Sequence, residues 1–379
     1  MKNNSTAVSF YVFSETFASA IASELRNLTF PLYAYLLGYS PYFISILFVI
    51  YLSTHLILSY PFGLLAQKIG SSKVALMSSF LDAISIIIIT FNNPYIFIAS
   101  FILLGISSAS STQIKSLISY NFGDKLKSVY SRLIAIFLTG NVMAQILTAV
   151  LGSLSLFTVI YLSVGSFYII FSIISVFIMR SFKEVYISPN KINVIPSRKL
   201  LIFSILGLLF GFSSSIVAIF IQIWFTIEKL PIYEISLVYM GSSIAGIASS
   251  FLTDRMKENT LLKFVTLISL SAIEGILTFI IYFPSPISII AYLMSGLISP
   301  IILTARNVMS TTALRKLNEI ENGFALLSTF SMIGQVFGIL GEGILFTLGD
   351  YIIPFAIGSS LGFVTTVVYL ALYERITKT

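Results

Sequence analysis

The chain has no cysteine, which excludes disulfides and thiolate metal sites. Its one histidine, His55, cannot build a multi-histidine metal centre. It has no Gly-x-x-x-x-Gly-Lys-Ser/Thr run, so no nucleotide-binding loop of that kind is available to drive it. Charge is also scarce. Only 10% of the residues are charged, against about 25% in soluble domains. Such a chain cannot clothe a globule in polar groups, so lipid is its solvent.

What is present is apolar. Hydrophobic residues make up 57% of the 379, and the mean hydropathy is +0.98. One spanning helix needs about 20 apolar residues, so with short loops there is room for about twelve. The spans read as 9–37, 41–66, 73–92, 95–118, 128–153, 156–180, 199–227, 232–253, 261–283, 286–308, 322–348 and 351–373. Their shortest breaks, at Gly38, Asn92–Pro94 and Pro284–Pro286, are made of turn formers. The first stretch has no obvious small-residue cleavage site and is read as a retained helix.

The basic residues orient these spans. With the N-terminus in the cytoplasm, every Lys and Arg except Lys229 and Arg26 falls on the cytoplasmic side or at a helix end facing it. Lys115 and Arg306 are counted among them. Lys and Arg resist translocation, so the pattern supports both helix count and orientation. It also accounts for the net charge of +7 without nucleic acid. The expected setting is the plasma membrane, with both termini cytoplasmic. The longest cytoplasmic connection, 181–198, carries Ser188-Pro189-Asn190 and Pro196 among basic residues and reads as a linker between residues 1–180 and 199–379.

Two loops punctuate equivalent places in these halves. One runs from Gly63 through Gln67, Lys68 and Gly70 to Lys73; the other contains Asp254, Arg255 and Lys257. Gln145 and Gln335 are similarly related. A duplicated six-helix unit accounts for this economically. The first loop resembles the signature of the major facilitator superfamily, in which Gly, three residues, Asp-Arg, one residue, Gly and basic residues join helices 2 and 3. Gly63, Lys68, Gly70 and Lys73 fit; Gln67 stands where the family has Asp. The second loop keeps acid and base as Asp254-Arg255 but has Lys257 in place of Gly. Pro31-Leu32-Tyr33, Pro300 and Asn322-Gly323-Phe324-Ala325 are also similar to family features.

The resemblance implies an all-α polytopic membrane protein with two pseudo-symmetric six-helix bundles around a central path. It implies that the loop lets helices 2 and 11 approach and latches the outward-facing state, here with more of the burden on Asp254 than on uncharged Gln67. Helix 5 offers Gly140 and Gly152 without the Pro of the family's antiporter signature, which puts export by that subgroup's mechanism in doubt.

The residues within the spans point to an internal path on their own account. At about 100° per residue, Glu15, Ser19, Ala22, Arg26, Thr29 and Tyr33 share one face of the first span. Thr16, Ser23 and Asn27 flank it, and Glu24 lies further round. A lipid-facing helix would not carry this. Arg26 must find a carboxylate or an anion; Asp82 in the third span and Glu274 in the ninth are both open to it, with Asp82 preferred because it shares a half with the first span. Asp82 and Glu274 occupy similar places in the two halves. Glu15, Glu24, Arg26, Asp82, Gln145, Gln222, Glu274 and Gln335 are therefore the candidates for solute and coupling contacts. A static ion pair or hydrogen bond serves Arg26, Glu24 and Asp82 equally well. His55 reads as a neutral hydrogen-bonding core residue, and Gly334 with Gly338 as a small-residue helix contact.

The expectation is a monomeric carrier of a small solute that works by alternating access and couples to protons through Glu24 or Asp82. It calls for no cofactor and no metal. A membrane-embedded enzyme and a non-transporting receptor or scaffold on the same fold are the rival classes.

Overall fold

The computed structural model describes residues 2–122, 125–152, 155–179, 197–218, 221–317, 320–348 and 350–378. The linker expected at 181–198 lies outside them except for Ser197 and Arg198. No strand occurs among the described residues. The helices are α1 (Lys2–Glu24, continued by a π turn Leu25–Thr29 and Phe30–Leu36), α2 (Pro41–Ile69), α3 (Ser71–Ile88), α4 (Pro94–Ser111, continued by Gln113–Phe122), α5 (Leu126–Leu147, ending in a π turn Thr148–Gly152) and α6 (Phe157–Met179). Then follow α7 (Arg198–Ala218, resumed as Ile221–Ile227), α8 (Ile232–Arg255), α9 (Phe264–Ile280), α10 (Ile287–Leu317), α11 (Ile320–Leu348) and α12 (Ile352–Lys378).

Ten of these helices are long and apolar enough to cross a membrane. The other two are α1, which carries Glu15, Glu24 and Arg26, and α9, whose apolar core Val265–Ile280 is short. Large side chains on α1 are nonetheless sheltered: Val8, Tyr11, Val12, Leu25, Leu28 and Phe30 are fully or almost fully buried. A helix enclosed by protein can keep charges that lipid would exclude.

Local sequence sets the ends. Ser40 caps α2, accepting from the Phe43 amide at 3.2 Å, and Pro41 begins the helix. Asn93 caps α4 through the Tyr95 amide at 2.9 Å, again just ahead of a proline, Pro94. Gly70 alone joins α2 to α3 at φ 103°, a conformation that side chains rarely adopt.

The two six-helix bundles repeat the same close contacts. In the first, α5 meets α1 where Gly140 faces Phe17 and Ala20, and α4 meets α2 where Gly105 faces Tyr51 and Thr54. In the second, α11 meets α7 where Gly334 faces Leu208 and Phe212, and α10 meets α8 where Gly296 faces Ser242. Each pair in one bundle has its counterpart six helices later. Backbones this close need small residues.

Among the helices that run further than their spans implied, two matter for the charges inside them. α4 reaches Phe122 and α10 reaches Leu317, so Lys115 and Arg306 sit inside helices and not at their ends. Hydropathy could not separate these extensions from the spans, because α10 continues through Ser310-Thr311-Thr312 without a breaker.

A Cβ on Gly334 would collide with the Leu208 carbonyl, whereas one on Gly341, in the same helix, meets nothing within 4 Å. Gly334→Val is expected to destabilise by about 1–3 kcal/mol or more, lowering the melting temperature in detergent by several degrees. Gly341→Ala is expected to leave it unchanged or raise it slightly. Equal melting temperatures for the two variants would contradict the close α7–α11 contact.

Candidate functional site

A cavity of about 530 Å³ opens within the protein, lined by side chains of α1, α5, α7, α8, α9, α10 and α12. That is within the usual range for a small-molecule site. Its walls are mostly apolar, with a few polar groups that converge from both bundles. The first bundle contributes Glu24, Asn27, Asn141 and Gln145. The second contributes Tyr239, Ser242, Ser243, Glu274, Tyr292, Ser299 and Arg306.

Gln145 ties the two sides together. Its Nε2 donates to Glu24 Oε1 at 2.7 Å and to Ser243 Oγ at 3.1 Å. Glu24 is thus joined to the opposite bundle through one amide. Ser299 donates to Glu274 Oε1, while Glu274 Oε2 is buried without a hydrogen-bond partner. Asn141 Oδ1 and Gln145 Oε1 are in the same position. The Arg306 guanidinium lies over the Phe210 ring, 3.1 Å from its centroid.

Of the residues picked from sequence, Glu24, Gln145 and Glu274 line this cavity; the others do not. Glu15 is buried inside the first bundle, where it accepts from Ser79 at 2.7 Å and from the Tyr168 hydroxyl at 3.4 Å. Asp82 lies in the same bundle, near Ser107, whose hydroxyl donates to the Ser78 carbonyl at 3.0 Å. Gln222 donates to the Asn27 carbonyl at 2.8 Å and accepts from Tyr239 at 2.8 Å, which closes α7 onto α1. Gln335 bonds within its own helix, to Ser331 at 3.4 Å.

Arg26 departs from expectation. Among the described residues no carboxylate is within ion-pair distance of it. Its guanidinium instead bonds Ser23 at 3.0 Å and Asn27 at 3.3 Å and rests 4.4 Å from the centroid of the Tyr51 ring. The π turn accounts for part of this, since the wider turn at Leu25–Thr29 shifts Arg26 from its ideal-helix direction. Glu342 on α11 is buried with 1% exposure. His55 bonds Ser108 at 2.8 Å and, across the bundle interface, Ser328 at 2.7 Å.

Arg306 is the residue that sequence reading missed. Its place near an expected helix end groups it with the basic residues that orient the chain, yet it lines the cavity. The signal that could have found it is its position seven residues, hence about two turns, after Ser299 on the same face of α10.

A family model described as Major Facilitator Superfamily matches residues 12–317. The chain belongs to the Major Facilitator Superfamily. Solved structures of this superfamily superpose along nearly the whole chain. The fucose:proton symporter of Escherichia coli does so with a TM-score of 0.70 and 12% identity, covering 98% of this chain and 99% of that one. The human organic anion transporter MFSD10 gives 0.69 and 11%, covering 97% and 99%. The nucleoside transporter NupG gives 0.65 and 14%, covering 96% and 99%. At these identities the likeness is one of fold. A sequence search among curated proteins finds no significant match.

At the end of the protein that carries both termini, Lys127 on α5 donates to three main-chain carbonyls where α8 stops: Thr253 at 3.3 Å, Asp254 at 2.6 Å, and Met256. The Thr253 carbonyl also accepts from the Met256 amide at 3.2 Å, while those of Asp254 and Met256 lie beyond the last main-chain bonds of the helix, and the helix dipole adds to the attraction for a cation. Arg132 pairs with the Asp254 carboxylate at 3.2 Å. Tyr130 bonds Thr311 at 2.8 Å, and Arg315 bonds Ser119. Each of these links one bundle to the other. Of the predicted loop residues, Gly63 and Lys68 fall within the last turns of α2 and Gly70 forms the turn to α3. Gln67 lies on α2 and Arg255 at the last position of α8.

The Arg132–Asp254 pair is half open to solvent, with 59% and 20% exposure, and such pairs contribute about 0–1 kcal/mol. Lys127 holds three carbonyls and is worth more. Because the chain has no cysteine, a single Asn141→Cys reports access to the cavity. Lys127→Met is expected to raise the maleimide labelling rate there by about tenfold and Asp254→Asn by about two- to fivefold. The reverse order would show that the ion pair dominates this closure.

Proposed function

We propose that this chain is a secondary transporter that carries a small solute through the 530 Å³ cavity by alternating access and couples that movement to protons. The observation that carries this reading is the cavity itself, a polar-floored space walled by both bundles within a membrane-spanning fold. The solved relatives are named as transporters of fucose with protons, of organic anions and of nucleosides, which agrees with a solute carrier. The distribution of Lys and Arg supports cytoplasmic termini.

Glu24 is the coupling residue in this reading. It lies on the cavity wall, and its carboxylate reaches the other bundle through Gln145 and Ser243. Protonation removes the charge that the amide bonds to, so proton occupancy and the fit of the two bundles are linked. Asp82, the other candidate, is not on the cavity wall and has no such bridge.

The test is flux in proteoliposomes. The parent protein is expected to accumulate its solute when a pH gradient is imposed. Glu24→Gln is expected to lose that accumulation by tenfold or more, roughly the effect of removing one charge-assisted bond, while solute exchange without a gradient persists. Undiminished proton-driven accumulation by the variant would reject Glu24 as the coupling group. No flux of any solute by the parent would reject the carrier reading.

A further inference from the structure

The cavity is electrically divided. Arg306 keeps its charge at any working pH and has no carboxylate within ion-pair distance among the described residues. A charge in such a setting calls for a counter-charge, and the solute is what can supply it. The rest of the polar wall has the opposite need. Asn141 Oδ1, Gln145 Oε1 and Glu274 Oε2 are buried acceptors without donors. A ligand that satisfies both walls must carry an anionic group at one end and a hydrogen-bond-donating cation at the other.

The geometry spaces the two ends. Ser299, which bonds Glu274, stands about two turns and so about 10 Å from Arg306 along the same face of α10. Helical side chains lean toward the N-terminus, which brings the guanidinium back toward Glu274 and shortens this gap. The remaining distance suits a molecule whose charges are separated by a few bonds.

The space around Glu274 is also open where its counterpart is filled. Glu274 and Ser299 stand at the same sequence offset from each other as Asp82 and Ser107 in the first bundle. There, Tyr168 of α6 packs in fully buried, its hydroxyl donating to Glu15 beside Asp82. In the second bundle α12 presents Gly358 and Gly362 to the cavity. One bundle has a core where the other has a chamber.

We propose that the solute is a small zwitterion, with its anionic group on Arg306 and its ammonium group on Glu274. This rests on the carrier reading of the same cavity, and it narrows the substrate class from any small solute to one with separated charges of both signs. A purely cationic solute leaves Arg306 with the face of Phe210 but no counter-charge, and a purely anionic or neutral one leaves the acceptor wall without its cation.

The test compares binding of glycine, 4-aminobutyrate, 5-aminovalerate and glycylglycine with that of valerate and pentylamine, by thermal shift of the purified full-length protein. At least one zwitterion is expected to bind about tenfold or more tightly than either single-charge probe. Glu274→Gln is expected to lower that affinity about tenfold and leave valerate unchanged, while Arg306→Gln weakens the zwitterion and valerate alike. The melting temperature of each variant without ligand shows whether it is folded. If Arg306→Gln does not fold, Arg306→Lys, which keeps the charge, is expected to retain the preference for zwitterion over pentylamine. Should no zwitterion bind, or should the single-charge probes bind equally well, the zwitterion assignment fails and the carrier reading stands. If a zwitterion binds with the expected variant pattern but none of the series crosses proteoliposomes, the carrier reading fails and the binding site stands.

Discussion

A charged or hydrogen-bonding side chain facing hydrocarbon costs several kcal/mol, and that single constraint arranges this molecule. α1 carries Glu15, Glu24, Arg26 and Asn27 within one helix. It is tolerated only because the helices around it, together with its own neighbouring side chains, give these groups something to bond. Glu15 has Ser79 and Tyr168, Glu24 has Gln145, and Arg26 has Ser23, Asn27 and the face of Tyr51. Had those partners been absent, the helix would not sit in the bundle. The polar interior exists because it has nowhere else to be.

Those polar groups fall into two kinds. Glu15 is bonded by hydroxyls within one bundle, and neither it nor Asp82 reaches the cavity. Glu24, Glu274 and Arg306 stand at the boundary of an open space, and some of the bonding capacity around that space is unused. Packing decides which kind a residue becomes. Tyr168 fills the first bundle at the place where α12 of the second offers glycine and serine. The duplicated helices keep the same glycine-mediated contacts, so the scaffold is symmetric while its contents are not.

Much of this is legible in the sequence. Apolar runs, turn formers at Gly38 and Asn92–Pro94, and the placement of Lys and Arg are enough to place the helices, because bilayer thickness and topology rules act on short windows. The polar character of α1 announces an interior path. Glu24, Gln145 and Glu274 stand out because an acid or amide inside an apolar run must face protein or water. Arg306 does not stand out, because a cation near an expected helix end simply orients the chain. The true end lies eleven residues further on, at Leu317. Arg26 reads as a residue in search of a carboxylate. A π turn and an aromatic ring meet its needs in a way that ideal helix geometry does not anticipate. Contacts between distant segments, such as Lys127 with the end of α8, have no local signature at all.

That last contact shapes how the chain can change over generations. The acceptors of Lys127 are main-chain oxygens, which no point substitution at Thr253, Asp254 or Met256 deletes. Drift on the α8 side is therefore tolerated, and the whole vulnerability of the grip is concentrated in one ammonium group. On the α8 side the grip of Lys127 survives a change of side chain, the Asp254 carboxylate mattering only for its separate pairing with Arg132, whereas on the α5 side it needs a long cation at position 127.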